Sequence, residues 1–221
     1  FDSFIKNNII TYTVNFENGK IAIDQNAYMS KELSDILKKY EAPINMDMIK
    51  NIPSQNVIGL LAFNFKPEGI KELIKLTGAD GLVNTYGQQM GITLDDISKA
   101  TNGDFLLAFS DLKMPKTSVN NNDSSEDNSE YNNFKPEFNY IFSVGIGDKT
   151  SFQKIIDLLK KTGSQMGADS LVDKYVMNDD KIFAYGSSVD FANQYLSGKN
   201  NNKYDFSGNF SGHTFGFFLD I

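Results

Sequence analysis

The sequence has no cysteine, no tryptophan, no arginine and a single histidine in 221 residues. Without cysteine, disulfides, thiolate nucleophiles, iron–sulfur clusters and thiolate zinc sites are excluded. One histidine, His213, excludes a His/His metal pair and any two-histidine mechanism within one chain. The missing arginine removes the planar fork that clamps phosphates and reads bases, and a net charge of −7 repels a phosphate backbone. Nucleic acid is therefore not an expected partner. No run reaches the ~20 apolar residues of a membrane helix, and no charged-then-apolar leader opens the chain. Starting at Phe1 and stopping inside an apolar alternation, the sequence reads as a mature or excised piece of a longer polypeptide.

What is present is a good supply of apolar and aromatic residues, 40% and 13% of the chain, enough to bury roughly 70% of the unfolded surface. Tyr12, Val14 and Phe16 alternate before Asn18-Gly19, and Ile21 and Ile23 alternate after it. A two-residue turn there sets Glu17 opposite Lys20, Phe16 opposite Ile21 and Val14 opposite Ile23. Ser30 is placed to cap a helix carrying Leu33, Ile36, Leu37 and Tyr40. Residues 56–65 read as a strand buried on both faces, followed by a helix opened by Pro67 and closed by Gly78. A second helix is expected from a cap at Asp80 to Gly91, and a third from the capping box Thr93/Asp96. A strand over 104–110 precedes the polar stretch 113–137, which reads as a mobile loop. Further on come a strand over 138–146, a helix closed by Gly163, and two short strands around Asn178-Asp179-Asp180. A helix capped by Ser188, a polar loop over 198–209 and a last strand follow, the strand aligning His213, Phe215, Phe217, Leu219 and Ile221 on one face.

Residues 70–78 and 155–163 agree at five positions of nine, each following an apolar strand, and the flanking Ala79-Asp80-Gly81-Leu82-Val83 resembles Ala168-Asp169-Ser170-Leu171-Val172. We read two related strand-helix-helix-strand halves. The expected fold class is α+β, an antiparallel sheet with helices packed on one face. The expected organisation is an N-terminal hairpin and helix over 1–50, ending a preceding unit. A first half over 51–112, the loop 113–137 and a second half over 138–221 follow.

The residues that carry chemistry are sparse. Gly145-Ile146-Gly147-Asp148-Lys149-Thr150 stands where a phosphate loop belongs, yet its Gly-Lys-Ser/Thr is not contiguous and Asp148 brings a negative charge, so a plain strand-to-helix turn is expected. His213 lies on a Phe-rich strand with no orienting acid in sight. Asp95-Asp96, Asp179-Asp180 and the acidic run 123–130 lack the glycine and glutamate spacing of a calcium loop, so no metal or cofactor is expected. Twenty-eight acids allow a hydrolytic carboxylate pair, but nothing selects one. Most aromatics keep core periodicity. Tyr131, Phe134, Tyr204, Phe206 and Phe210 instead stand in polar loop sequence and form the expected contact patch.

Three stretches carry a family likeness: residues 53–63 (PSQNVIGLLAF) with the following Pro67-Glu68-Gly69-Ile70, then Gly91-Ile92-Thr93-Leu94-Asp95-Asp96-Ile97, then Gly103-Asp104-Phe105. Over residues 50–221 the chain resembles a family of Bacteroidetes lipoproteins known as a domain of unknown function. That resemblance implies an extracytoplasmic location, in the periplasm or attached to the outer membrane. A lipid anchor outside the present sequence would then be the membrane link. It assigns no catalytic residue. The expectation is a noncatalytic module that binds a protein or a glycan. The alternatives are a hydrolase using a carboxylate pair assembled by the fold and a structural segment of a larger surface protein.

Overall fold

A computed structural model describes residues 9–17, 20–114, 136–165, 175–178 and 181–220. In chain order the elements are β1 (Ile9–Glu17), β2 (Lys20–Tyr28), α1 (Lys31–Tyr40), α2 (Met46–Lys50), β3 (Val57–Asn64), α3 (Pro67–Leu76), α4 (Asp80–Met90), α5 (Leu94–Ala100) and β4 (Thr101–Lys113). After them come β5 (Glu137–Ile146), α6 (Lys149–Gln165), β6 (Tyr175–Asn178), β7 (Ile182–Gly186), α7 (Val189–Leu196), a 3-10 turn (Asp205–Asn209) and β8 (Phe215–Leu219). The protein is α+β, with a two-stranded and a six-stranded antiparallel sheet. The chain divides into two compact units.

The first unit holds Phe1–Ala42, Phe65–Gly103 and Gly147–Lys161. In the β1–β2 hairpin Glu17 pairs with Lys20, Phe16 with Ile21 and Val14 with Ile23, the register that a two-residue turn dictates. The turn residues Asn18 and Gly19 themselves lie outside the described residues. Helix α1 opens at Ser30, whose hydroxyl accepts from the Leu33 N–H at 3.3 Å, and is tied to α3 where the Tyr40 hydroxyl donates to Glu72 at 2.6 Å. Helix α4 departs from expectation: Ala79, with no side-chain bond, precedes it and Asp80 is its first residue rather than its cap. The Asp80 charge still complements the positive end of the helix.

Helix α5 opens with the expected capping box. The Asp96 N–H donates to the Thr93 hydroxyl at 3.0 Å, and the Thr93 N–H donates back to the Asp96 carboxylate at 2.9 Å. The other oxygen of Asp96 accepts from Lys154 of α6 at 2.8 Å. Lys154, then the Thr93 hydroxyl and N–H, hold this carboxyl well below the usual carboxylate range. A carboxyl depressed by folding stabilises the fold above its unfolded value near ~3.9 and loses that contribution as the pH falls through the lower folded value. Lys154 is nearly half in solvent, which screens its share, and the capping bonds from Thr93 act beside it. Asp96→Ala is therefore expected to cost about 1–2 kcal/mol at neutral pH. That cost should shrink below about pH 4. Urea unfolding at both pH values reads the difference, and a cost independent of pH would refute the assignment.

The second unit holds Pro43–Asn64, Asp104–Ile146 and Thr162–Ile221, including the six-stranded sheet in the order β6-β7-β5-β4-β3-β8. Strand β3 pairs antiparallel with β4 and with β8, and β7 pairs antiparallel with β5 and with β6. Helices α2 and α7 and the 3-10 turn close one face of this sheet. Met48 and Ile49 of α2, Phe191, Ala192 and Tyr195 of α7, and Phe210 pack on Leu60, Ala62, Leu106, Ala108, Ile141 and Ala184 of the strands. Three of these six strand residues are alanine. A Cβ added at Gly186 would come within 3.2 Å of the Ala192 backbone nitrogen, which shows how closely α7 sits on β7.

The two related stretches share an outline. Each begins strand then helix (β3–α3 and β5–α6), and each continues to a strand antiparallel to its own first one (β4 against β3, β7 against β5). They differ at the helix end: α3 stops at Leu76 before Gly78, whereas α6 runs through Gly163 to Gln165. Residues 166–174, where the second helix of that half is expected, lie outside the described residues.

Candidate binding face

In an antiparallel pair, residues opposite each other point to the same side, so register sorts every strand side chain to one face. Leu60 faces Ala108 and Phe218, and Ala62 faces Leu106 and Gly216, which is the helix-covered side. The opposite side is built of large apolar groups. Across it run Phe215, Phe63, Phe105 and Phe142, and beside them Phe217, Leu61 and Leu107. Leu219 and Phe109 approach over Gly59, and Phe138 continues that row.

The rings form a pavement: Phe63 stacks on Phe105 at 4.4 Å, Phe105 meets Phe142 edge-on at 5.2 Å and Phe109 meets Phe138 at 5.9 Å. Tyr140 and Tyr185 lie 5.9 Å apart on the same side. Among the described residues of this unit no helix covers this face. An antiparallel sheet with one solvated side ordinarily alternates apolar-in with polar-out; here both sides are apolar. Phe109, Phe138, Phe215, Phe217 and Leu219 are the most exposed members. At ~200 Å² for a side chain of this size, those five present on the order of 500 Å². That already equals the largest apolar patch of an ordinary monomer, about 300–600 Å².

Of the five aromatic residues expected to form the contact patch, the structure describes three, and these are not on this face. Tyr131 and Phe134 lie outside the described residues. Tyr204, Phe206 and Phe210 do come together, but Tyr204 is 8% and Phe210 3% exposed, and they belong to the core. Phe206 stacks on Tyr204 at 5.1 Å and on Phe218 at 3.9 Å. Phe210 lies on Gly216, where an added Cβ would fall 2.3 Å from its ring. The Tyr204 hydroxyl donates to the Ser54 carbonyl at 2.6 Å, and Asn202 donates to the Ile52 carbonyl at 2.8 Å. The polar groups of this loop thus satisfy carbonyls far away in the chain, and the aromatics plug the edge of the core. An exposed sugar-stacking platform needs a free ring face, and the Phe206 ring is already engaged.

The glycine-containing turn at residues 145–150 is spent locally. Around residues 145–150, the Gly147 N–H donates to the Ala100 carbonyl at 2.9 Å and the Asp148 N–H to the Lys99 carbonyl at 2.7 Å. These are the groups that would have cradled a phosphate. His213 is exposed and precedes β8 rather than lying in it. Asp95 is paired with Lys71, and Asp179-Asp180 and the run 123–130 lie outside the described residues.

Among the described residues, the carboxylates with shifted titration (Glu72, Asp95, Asp96, Asp111 and Asp148) all move downward. For Asp111, burial pushes up, but hydrogen bonds from Asn139, Ser54 and Ser110 outweigh it. Groups held ionised in this way do not serve as general acids at neutral pH. Clefts lined by described residues include one of about 420 Å³ beside Lys203, Asp205 and Asp220 and one of about 480 Å³ beside Lys71, Asp95 and Lys99. Both mix acidic and basic groups, and in the second the Ser98 hydroxyl donates to the Asp95 carbonyl while the Thr101 hydroxyl accepts from the Gly103 N–H. Comparison with family models, with curated proteins and with solved structures finds no match to this chain.

Proposed function

We propose that the chain is a noncatalytic, extracytoplasmic protein-interaction module, and that the apolar face of the six-stranded sheet is its contact surface. The observation that carries this reading is the solvent-facing aromatic pavement opposite α2 and α7, with Phe215 and Phe217 61% and 63% exposed. Desolvating such a face is favourable at about 25 cal/mol per Å², and aromatic side chains are the group most enriched at the centres of protein interfaces. A protein surface fits it better than a glycan, because sugars need polar partners beside a stacking ring and, among the described side chains, the polar groups identified on this face are the Tyr140 and Tyr185 hydroxyls. The extracytoplasmic part of the proposal rests on the likeness to envelope lipoproteins.

The folded protein is expected to bind the apolar dye anilinonaphthalene sulfonate saturably. Phe217→Ser combined with Phe138→Ser should remove most of that binding without unfolding the chain. Dye binding untouched by the double variant would overturn the contact surface. A soluble glycan bound tightly by the wild type and by the double variant alike would overturn the choice of partner. Fractionation of the native cells that leaves the chain in the cytoplasm would overturn the location.

A further inference from the structure

Strand β8 is the last strand of its sheet, and its hydrogen-bonding parity decides what its outer edge can do. The Asn64 N–H donates to the Thr214 carbonyl, and the Asp220 N–H donates to the Ile58 carbonyl. Residues alternate along an antiparallel strand between facing the partner and facing away. Thr214, Gly216, Phe218 and Asp220 therefore direct their main-chain groups to β3, while Phe215, Phe217 and Leu219 direct theirs outward. Among the described residues no backbone hydrogen bond reaches these outward groups. The same three residues are the exposed apolar ones, and their side chains lie on the aromatic face.

Exposed strand edges are ordinarily protected by lysine, proline, a bulge or an inward charge. Phe215–Leu219 (FGFFL) has none of these. We propose that β8 is a strand-addition site that takes an extended peptide segment with apolar side chains at alternate positions. The segment's main chain would bond the outward groups of Phe215, Phe217 and Leu219. Its apolar side chains would extend the pavement by one more strand. This deepens the interaction-module reading and rests on it.

Area argues for a peptide over a second copy of the chain. With 61%, 63% and 55% of three side chains exposed, each copy would contribute roughly 350 Å² at ~200 Å² per side chain. Two copies joined at this edge would bury about half of the ~1,200–2,000 Å² of a stable protein–protein interface. Strand addition of a peptide draws its affinity from main-chain bonds, with side-chain pockets adding selectivity, and does not need that area.

The probe is a blocked nine-residue peptide alternating threonine and valine with a lysine at each end, titrated into the full chain and followed by anisotropy and by amide hydrogen exchange. In the free protein the Phe217 amide is expected to exchange fast and the Phe218 amide slowly. Saturating peptide should slow exchange at Phe217 by roughly tenfold or more and leave Phe218 unchanged. The same peptide N-methylated at alternate residues should bind at least about tenfold more weakly. Phe217→Pro removes one outward donor at a position where an edge strand tolerates proline, and should weaken binding more than Phe217→Ala, which keeps the donor.

If the N-methylated peptide binds as well as its parent and Phe217 stays unprotected, strand addition is refuted while the apolar-face reading stands. Failure of both peptides to bind, together with unchanged dye binding in the variant combining Phe217→Ser with Phe138→Ser, refutes both. Slow Phe217 exchange in the free protein, with a dimer in sedimentation, refutes the peptide occupant in favour of a second copy.

Discussion

Leu106→Ala is expected to lower the unfolding free energy by about 3 kcal/mol, the middle of the range for emptying a fully buried leucine site. Leu106 has no exposed surface and stands at the centre of β4, packed with Leu60, Ala62 and Ile141. It lies on the helix-covered side, so the cavity left behind is enclosed by α2, α7 and the neighbouring strands and has little room to collapse. A loss of that size is a large fraction of the ~5–15 kcal/mol that holds an ordinary domain together.

The informative control is on the other face. Phe217→Ser removes a larger side chain, yet its ring is mostly in solvent on an edge strand, so the expected loss is below about 1 kcal/mol. Urea unfolding of the two variants measures the difference between the faces. Comparable losses would mean that something covers the aromatic side in solution, and the binding-face proposal would fall with it.

Which features were legible in the sequence follows from how local their causes are. The register of the β1–β2 hairpin could be worked out from Asn18-Gly19 because a two-residue turn leaves no freedom of parity. The caps at Ser30, Thr93 and Ser188 were readable for the same reason: donor and acceptor are three residues apart. The open aromatic face was not. The apolar run over 57–63 is compatible with a strand covered on both sides, and only the placement of α2 and α7 on one side shows that Leu61 and Phe63 are partly exposed.

A usable signal does exist in retrospect. Large and small residues alternate in Ala62-Phe63, Ala108-Phe109, Phe142-Ser143, Ala184-Tyr185 and Gly216-Phe217. The small members let helices approach the sheet closely, which marks the large ones as belonging to the side without helices. The described part of the expected contact patch has the opposite lesson. Tyr204 and Phe210 stand among asparagines that look solvated, but Asn202 and Tyr204 bond carbonyls some 150 residues earlier, a pairing invisible to local pattern.

Gly147→Ala is expected to cost about 3 kcal/mol, at the upper end for overpacking, although alanine is the smallest change available. A Cβ at Gly147 would lie 2.4 Å from the Lys99 carbonyl oxygen and 2.6 Å from that of Thr101. Both are main-chain atoms at the end of α5 and the start of β4, so no side chain can rotate away. The contact is fixed from the other side too, because the Gly147 and Asp148 N–H groups bond the Ala100 and Lys99 carbonyls. Relieving the clash therefore means breaking hydrogen bonds between the α5 end and the turn into α6, each worth about 1 kcal/mol. Gly81→Ala is the matched control. Gly81 lies within α4 with nothing near its missing Cβ, and alanine there should stabilise by roughly 0.5–1 kcal/mol. Thermal unfolding of the two variants decides the matter: a neutral Gly147→Ala would show that the turn before α6 is looser than its contacts indicate, and that its N–H groups are free to bind something other than α5.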